Sequence, residues 1–156
     1  MSKTRQLKGP KTTKHLDQLR ALLRGEVEPP PIAKLVGFEL IAVDLGHAVV
    51  ELSAGPQHAN PMGTLHGGIL CDLADAALGM AMASTLEDDE SFTSLDLTVK
   101  FLKPVWKARL RATAVPVKRT RSLGLLECDV TDDSGSLVAR VYSTCMVLRG
   151  DDARGR

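Results

Sequence analysis

A pair of glycines, Gly67-Gly68, stands eight residues ahead of Asp75, and between and beyond them the chain is almost entirely apolar. Two glycines at the start of a helix let a ligand approach the backbone closely, and the first-turn N–H groups have no partner inside the helix. Those donors, with the positive end of the helix dipole, suit an oxygen that gains negative charge during acyl transfer. Asp75 supplies a carboxylate able to take a proton from water or to attack directly. On one helix, eight residues at 1.5 Å rise separate the two groups by about 12 Å, too far to act on a single carbonyl. If both act, Gly67 of one subunit must meet Asp75 of another, so the spacing predicts at least a homodimer with its site on a two-fold interface.

The elements around this pair can be read from periodicity. Leu16, Leu19, Leu22 and Leu23 recur at helical spacing before Gly25, predicting a short amphipathic helix. Pro29-Pro30-Pro31 predicts an extended link, and Met1 to Lys11 a mobile polar lead. Phe38–Val43 and Ala48–Ser53 read as two strands joined by the turn Asp44-Leu45-Gly46-His47, and Ala54–Leu65, punctuated by Gly55, Pro56, Pro61 and Gly63, reads as loop. From Gly67 to about Leu86 alanine, leucine and methionine occupy nearly every face, so the helix there should be enclosed all round. Four β-branched-rich runs, Ser91–Lys103, Ala108–Lys118, Leu123–Thr131 and Leu137–Leu148, follow as antiparallel strands able to wrap it. The order predicts an α+β fold, a curved antiparallel sheet around one long helix. Residues 1–30 form a separate lead with its helix, residues 31–148 one domain, and residues 149–156 a flexible tail.

The composition narrows the partners. A formal charge of +1 over 156 residues gives no field for nucleic acid or an anionic membrane. The longest apolar run, Ile69–Leu86, is interrupted by Asp72 and Asp75 and reads as a core helix, not a membrane span, and the basic, polar start lacks the apolar core of a signal peptide. Cys71, Cys128 and Cys145 are odd in number and widely spaced, which fits a reducing cytoplasm and argues against a disulfide framework or metal cluster. His66 and His58 do not stand at a metal-ligand spacing, so no metal is expected.

The run Asn60-x-x-Gly63-Thr64-Leu65-His66-Gly67-Gly68, followed by Leu73-Ala74-Asp75, resembles the signature of the hotdog-fold thioesterases in their PaaI-like, phenylacetic-acid-degradation branch. Leu35-Val36-Gly37-Phe38, the stretch Ser94 to Pro104 and the hairpin Asp132 to Ala139 extend the similarity over roughly residues 31 to 148. The resemblance implies hydrolysis of an acyl-CoA or aryl-acyl-CoA thioester, with Asp75 as base or nucleophile and Gly67 as backbone donor to the thioester carbonyl. It implies that Asn60 holds the thioester or water from Gly67's subunit and that Ser94 orients the water. It also implies a homotetramer, no metal, and no cofactor beyond the CoA of the substrate. Asp72 and Thr120-Arg121 depart from the usual pattern, where a small or neutral residue and a Gly-Arg pair are more common.

Each site residue also has a plainer reading. His66 at the helix entry fixes the loop by hydrogen-bonding backbone, while Gly68 shares the donor turn; both also border the expected substrate position. Asn60 could brace its loop through an Asx turn, Ser94 could be an ordinary strand residue, and Asp72 a solvent-facing one. Lys118, Arg119 and Arg121 could neutralise the nucleotide phosphates of CoA or merely solvate a turn. His58 reads as a loop residue, Cys71 as a small buried hydrophobe. A domain that binds acyl-CoA without turnover, or a hydratase on the same fold, are the competing functions. Burial and Asp72 should both raise the pKa of Asp75.

Overall fold

The computed structural model describes residues 12–154, so the expected mobile lead over residues 1–11 lies outside the described residues. Thr13 caps the first helix, α1 (Lys14–Leu23), through its side chain, and Leu16 on its inner face is fully buried. The proline triplet does not act as one extended link. Pro30 is extended at ψ 152°, but Pro31 opens a short helix, α2 (Pro31–Val36), closed by Gly37 at φ 89°. Proline is favoured at a helix's first position, where its missing N–H would have no partner anyway.

The sheet follows in β1 (Phe38–Asp44), β2 (His47–Ala54), β3 (Glu90–Ser94), β4 (Thr98–Phe101), β5 (Ala108–Arg119), β6 (Leu123–Thr131) and β7 (Leu137–Arg149). All pairings are antiparallel in the order β1-β2-β5-β6-β7-β3, with β4 also on β7. The single strand expected over Ser91–Lys103 is broken at Leu95–Leu97, where three residues face only Ser143 and Thr144 of β7. Arg149 belongs to β7, not to the tail, and Gly150–Ala153 close as a 3-10 turn.

Between β2 and β3 runs the long helix α3 (Gly67–Ala83). Leu70, Leu73, Ala74, Ala77, Leu78, Ala81 and Met82 face the sheet's concave side, where Val50, Leu52, Leu110, Ala112 and Val130 are buried. The approach is close: a Cβ on Gly124 of β6 would stand 2.6 Å from the Met82 sulfur, so only glycine leaves that methionine its place. The sheet does not enclose α3. Asp72 and Asp75 are exposed, and Gly68, Ile69, Ala76, Gly79, Met80 and Ala83 are only partly covered. A sequence apolar on every face looks the same whether its own sheet or another subunit covers it.

One ion network pins the far end of the sheet. Glu90, nearly buried, accepts from Arg119 at 2.7 Å, from Arg149, and from the Glu87 amide. Burial alone would raise its pKa, but the Glu87 amide and the two guanidinium groups hold the carboxylate below its usual range. Its stabilising contribution is therefore present above the unfolded-state pKa and is lost as pH falls through the lower folded value. Glu90→Ala would leave two poorly solvated guanidinium groups without a counter-charge, and we expect a loss of about 3 kcal/mol, read as a lower midpoint in urea.

Candidate active site

The helix entry is held by backbone bonds from two directions. Leu65 N–H donates to the Val105 carbonyl at 2.7 Å, and His66 N–H to the His58 carbonyl at 2.9 Å. His58 is not a bystander in the loop. Its buried ring accepts from Gly55 N–H at Nδ1 and meets the Val36 carbonyl at 2.9 Å through Nε2, tying the loop to the end of α2. An accepting Nδ1 fixes the proton on Nε2.

His66 caps α3: its Nδ1 accepts from Gly68 N–H at 2.9 Å. The donor turn is thus narrower than two free glycine amides. Gly68 is occupied by His66, and the Ile69 amide bonds the His66 carbonyl. Gly67 N–H has no hydrogen-bond partner among the described residues. Beside it lies a cavity of about 390 Å³ lined by Leu65, Leu70, Phe101, Leu102 and Val105. Phe101, which the sequence did not single out, lays its ring against Gly67: a Cβ there would meet the ring at 3.0 Å.

Asn60 adopts the Asx turn. Its Oδ1 accepts from Met62 N–H at 2.9 Å and its Nδ2 donates to Thr64 Oγ1 at 2.7 Å. Each side-chain atom keeps one further lone pair or proton for a ligand.

Asp75 lies on the open edge of α3, toward β3. A Cβ on Gly79 would stand 3.6 Å from the Phe92 ring, which places that turn of α3 against β3. Moving back four residues along the helix covers about 6 Å and moving on two residues along the strand about 6.6 Å, so Asp75 comes level with Ser94. Electrostatics agree. The Cys145 thiol is raised chiefly by burial, with the Asp75 charge adding to the rise, and Ser94 Oγ lies 3.8 Å from that sulfur. The Asp75 carboxyl is itself raised above its usual range, first by desolvation against this wall and then by Asp72.

The structure therefore gathers the candidates into two groups, Asn60, His66 and Gly67 at the entry of α3 and Asp75 with Ser94 two turns later. Of the basic cluster, Lys118 and Arg121 are exposed at the β5–β6 turn, but Arg119 points inward to Glu90. Its expected place among the phosphate ligands does not fit: its guanidinium is largely buried and already bonded to Glu90 inside the fold. Nothing local distinguishes Glu90 from the neighbouring acids Glu87 to Asp89 in the sequence, so this pairing had no signal there.

The sequence pattern of the thioesterase superfamily matches residues 62–139, half of the chain, from the loop before α3 into β7. The chain belongs to that superfamily. Within it, the 1,4-dihydroxy-2-naphthoyl-CoA hydrolase of Listeria monocytogenes is 29% identical over 116 residues, 74% of this chain and 93% of the relative. The acyl-coenzyme A thioesterase PaaI of Escherichia coli is 30% identical over 108 residues, covering 69% and 75%. Among solved structures, a phenylacetic acid degradation-related protein of Ralstonia eutropha superposes with a TM-score of 0.75 at 33% identity, covering 82% of this chain and 98% of that one. This thioesterase-superfamily chain thus has the hotdog fold and is a thioester hydrolase. Among the described residues no helix is long and apolar enough to cross a membrane.

Proposed function

We propose that the chain hydrolyses an acyl-CoA or aryl-acyl-CoA thioester to the free acid and CoA, at a site shared between two subunits. The observation that carries this reading is the separation of an unpartnered Gly67 N–H from Asp75 by about 12 Å of one helix, along a face of α3 that its own sheet leaves open. A second copy across that face brings the Gly67 group of one chain to the Asp75 group of the other, twice per dimer. CoA as leaving group is supported by what the Listeria and E. coli relatives are named for.

In this reading Gly67 N–H, with Asn60 of the same subunit, holds the thioester oxygen as negative charge develops on it. Asp75 of the other subunit takes a proton from water, which Ser94 orients. The water oxygen bonds to the carbonyl carbon, the carbon–sulfur bond breaks, and the proton held by Asp75 passes to the CoA sulfur. Direct attack by Asp75, followed by hydrolysis of the acyl-enzyme, balances equally and uses the same contacts. His66 and Gly68 border the substrate and hold the donor turn in shape. Lys118 and Arg121 offer exposed charge to the CoA phosphates. The reaction needs no metal or cofactor, and the domain that performs it runs over residues 31–148. A homotetramer in the cytoplasm completes the proposal.

Steady release of free thiol from a panel of acyl- and aryl-acyl-CoA substrates is the expected result; binding of CoA thioesters with no thiol released would replace hydrolysis by a binding module. An enoyl-CoA in the panel, followed by absorbance, tests hydration.

The acid limb of the rate carries a further expectation. Asp75 works as an anion, so kcat/KM rises with pH through its raised pKa. Asp72→Asn removes the second cause of that rise and should move the acid limb to lower pH, making the variant faster than wild type on the acid side. An unmoved limb would mean that Asp72 does not act on the titrating group.

A further inference from the structure

We propose that Asp96 is a positioning residue, whose carboxylate replaces a strand carbonyl in the sheet and so sets Ser94 beside Asp75. In a regular antiparallel pair, residues opposite each other at a hydrogen-bonded position exchange two bonds, N–H to carbonyl in both directions. Leu95 and Thr144 make only the first. Leu95 N–H donates to the Thr144 carbonyl at 2.8 Å, but Thr144 N–H donates at 3.0 Å to Asp96 Oδ1 instead of to the Leu95 carbonyl. Ser143 Oγ–H then donates to the Asp96 carbonyl at 2.8 Å. These bonds interrupt the ladder over Leu95–Leu97 and leave one residue in excess over β7, so that pairing runs to Ser94↔Cys145 and resumes at Thr98↔Tyr142.

An inserted residue of this kind bends a strand and re-aims the side chains on either side. Here the two sides are Ser94, the last residue of β3, and Phe101, the end of β4, whose ring packs on Gly67. One pinned break therefore sets residues next to both halves of the candidate site. Aspartate is poorly suited to a strand interior, and its presence at this position fits its use as a substitute acceptor.

This proposal rests on the reading of Ser94 given above, and the test separates the two. Asp96→Ala should lower kcat about tenfold with KM little changed, because misplacing an orienting group by a fraction of an ångström weakens transition-state contacts more than binding. Asp96→Asn keeps Oδ1 as acceptor and should stay near wild type. In a Ser94→Ala background, Asp96→Ala should cost several-fold less than it does alone, since the part that acts through Ser94 is already lost. Should Asp96→Ala fail to fold, Ser143→Ala removes the other pin and is expected to lower kcat about threefold. If Ser94→Ala lowers kcat while Asp96→Ala and Ser143→Ala leave it at the wild-type level, the positioning role is wrong and Ser94 stands. If Ser94→Ala itself leaves kcat unchanged, Ser94 has no part in turnover and the proposal is lost with it. Equal losses in Asp96→Asn and Asp96→Ala would also overturn it, by pointing to charge instead of the retained acceptor.

Discussion

Asp75→Asn is expected to lower thiol release from a CoA thioester by about a thousandfold, since general-base or nucleophilic chemistry contributes factors of 10² to 10⁴ and the amide can supply neither. The fold should not suffer. Asp75 is solvent-accessible on the single subunit, and its carboxyl is raised by desolvation and by Asp72. A raised carboxyl pKa means that the folded chain holds this proton more tightly than the unfolded chain. Its stabilising contribution is full below the unfolded-state pKa and is lost as pH rises through the higher folded value, so the ionised form at neutral pH opposes folding. Asn carries no charge there, and the variant should unfold at an equal or higher temperature than wild type. Loss of turnover together with unchanged or increased thermal stability separates a functional carboxylate from a structural one; a variant that keeps full turnover removes Asp75 from the mechanism.

Gly67→Pro is the matching change at the other half of the site. It deletes the N–H at the helix entry that has no partner among the described residues. Proline is accommodated at the first position of a helix, and His66 before it, at φ −63° and ψ 131°, already has the extended conformation that a following proline requires. The ring must displace Phe101, whose side chain is exposed enough to turn away. Loss of an oxyanion donor should cost about 10² to 10³ in kcat. Gly67→Ala is the control: it keeps the N–H, presses on the same phenyl ring, and should retain most of the turnover. Equal losses in both variants would assign the effect to Phe101 and not to the donor.

The architecture was legible where one residue type repeats with one period. The β6 run Leu123–Thr131, bounded by turn residues on both sides, forms a strand with those bounds, and the apolar run from Gly67 forms the long helix. Legibility failed where a residue's partner lies far along the chain. Arg119 and Glu90 are 29 residues apart, and no local pattern shows that the arginine turns inward. The break at Leu95–Leu97 depends on Ser143 and Thr144, although an aspartate amid strand-forming residues was a signal that could have been used. Three consecutive prolines suggest one extended link, yet only Pro31 is not followed by another proline that would bar it from the helical region, and the helix begins there. At the site, the spacing of Gly67 and Asp75 already implied that, if both act on one carbonyl, they do so from two subunits, because helix rise is fixed by geometry. That Gly68 is occupied by its own neighbour, leaving one donor, depends on the rotamer of His66 and could be seen only in the folded chain.

The shared site is tested most directly by combining the two lesions in different subunits. Asp75→Asn and Gly67→Pro chains, carrying different affinity tags, are co-expressed, and the mixed oligomer is isolated through both tags. If the site joins Gly67 of one subunit to Asp75 of the other, each mixed pair holds one wholly intact site and one doubly damaged site, and turnover should return to about half of wild type per pair. If each subunit uses its own Gly67 and Asp75, every site carries a lesion, and the mixed oligomer will be as inactive as its parents.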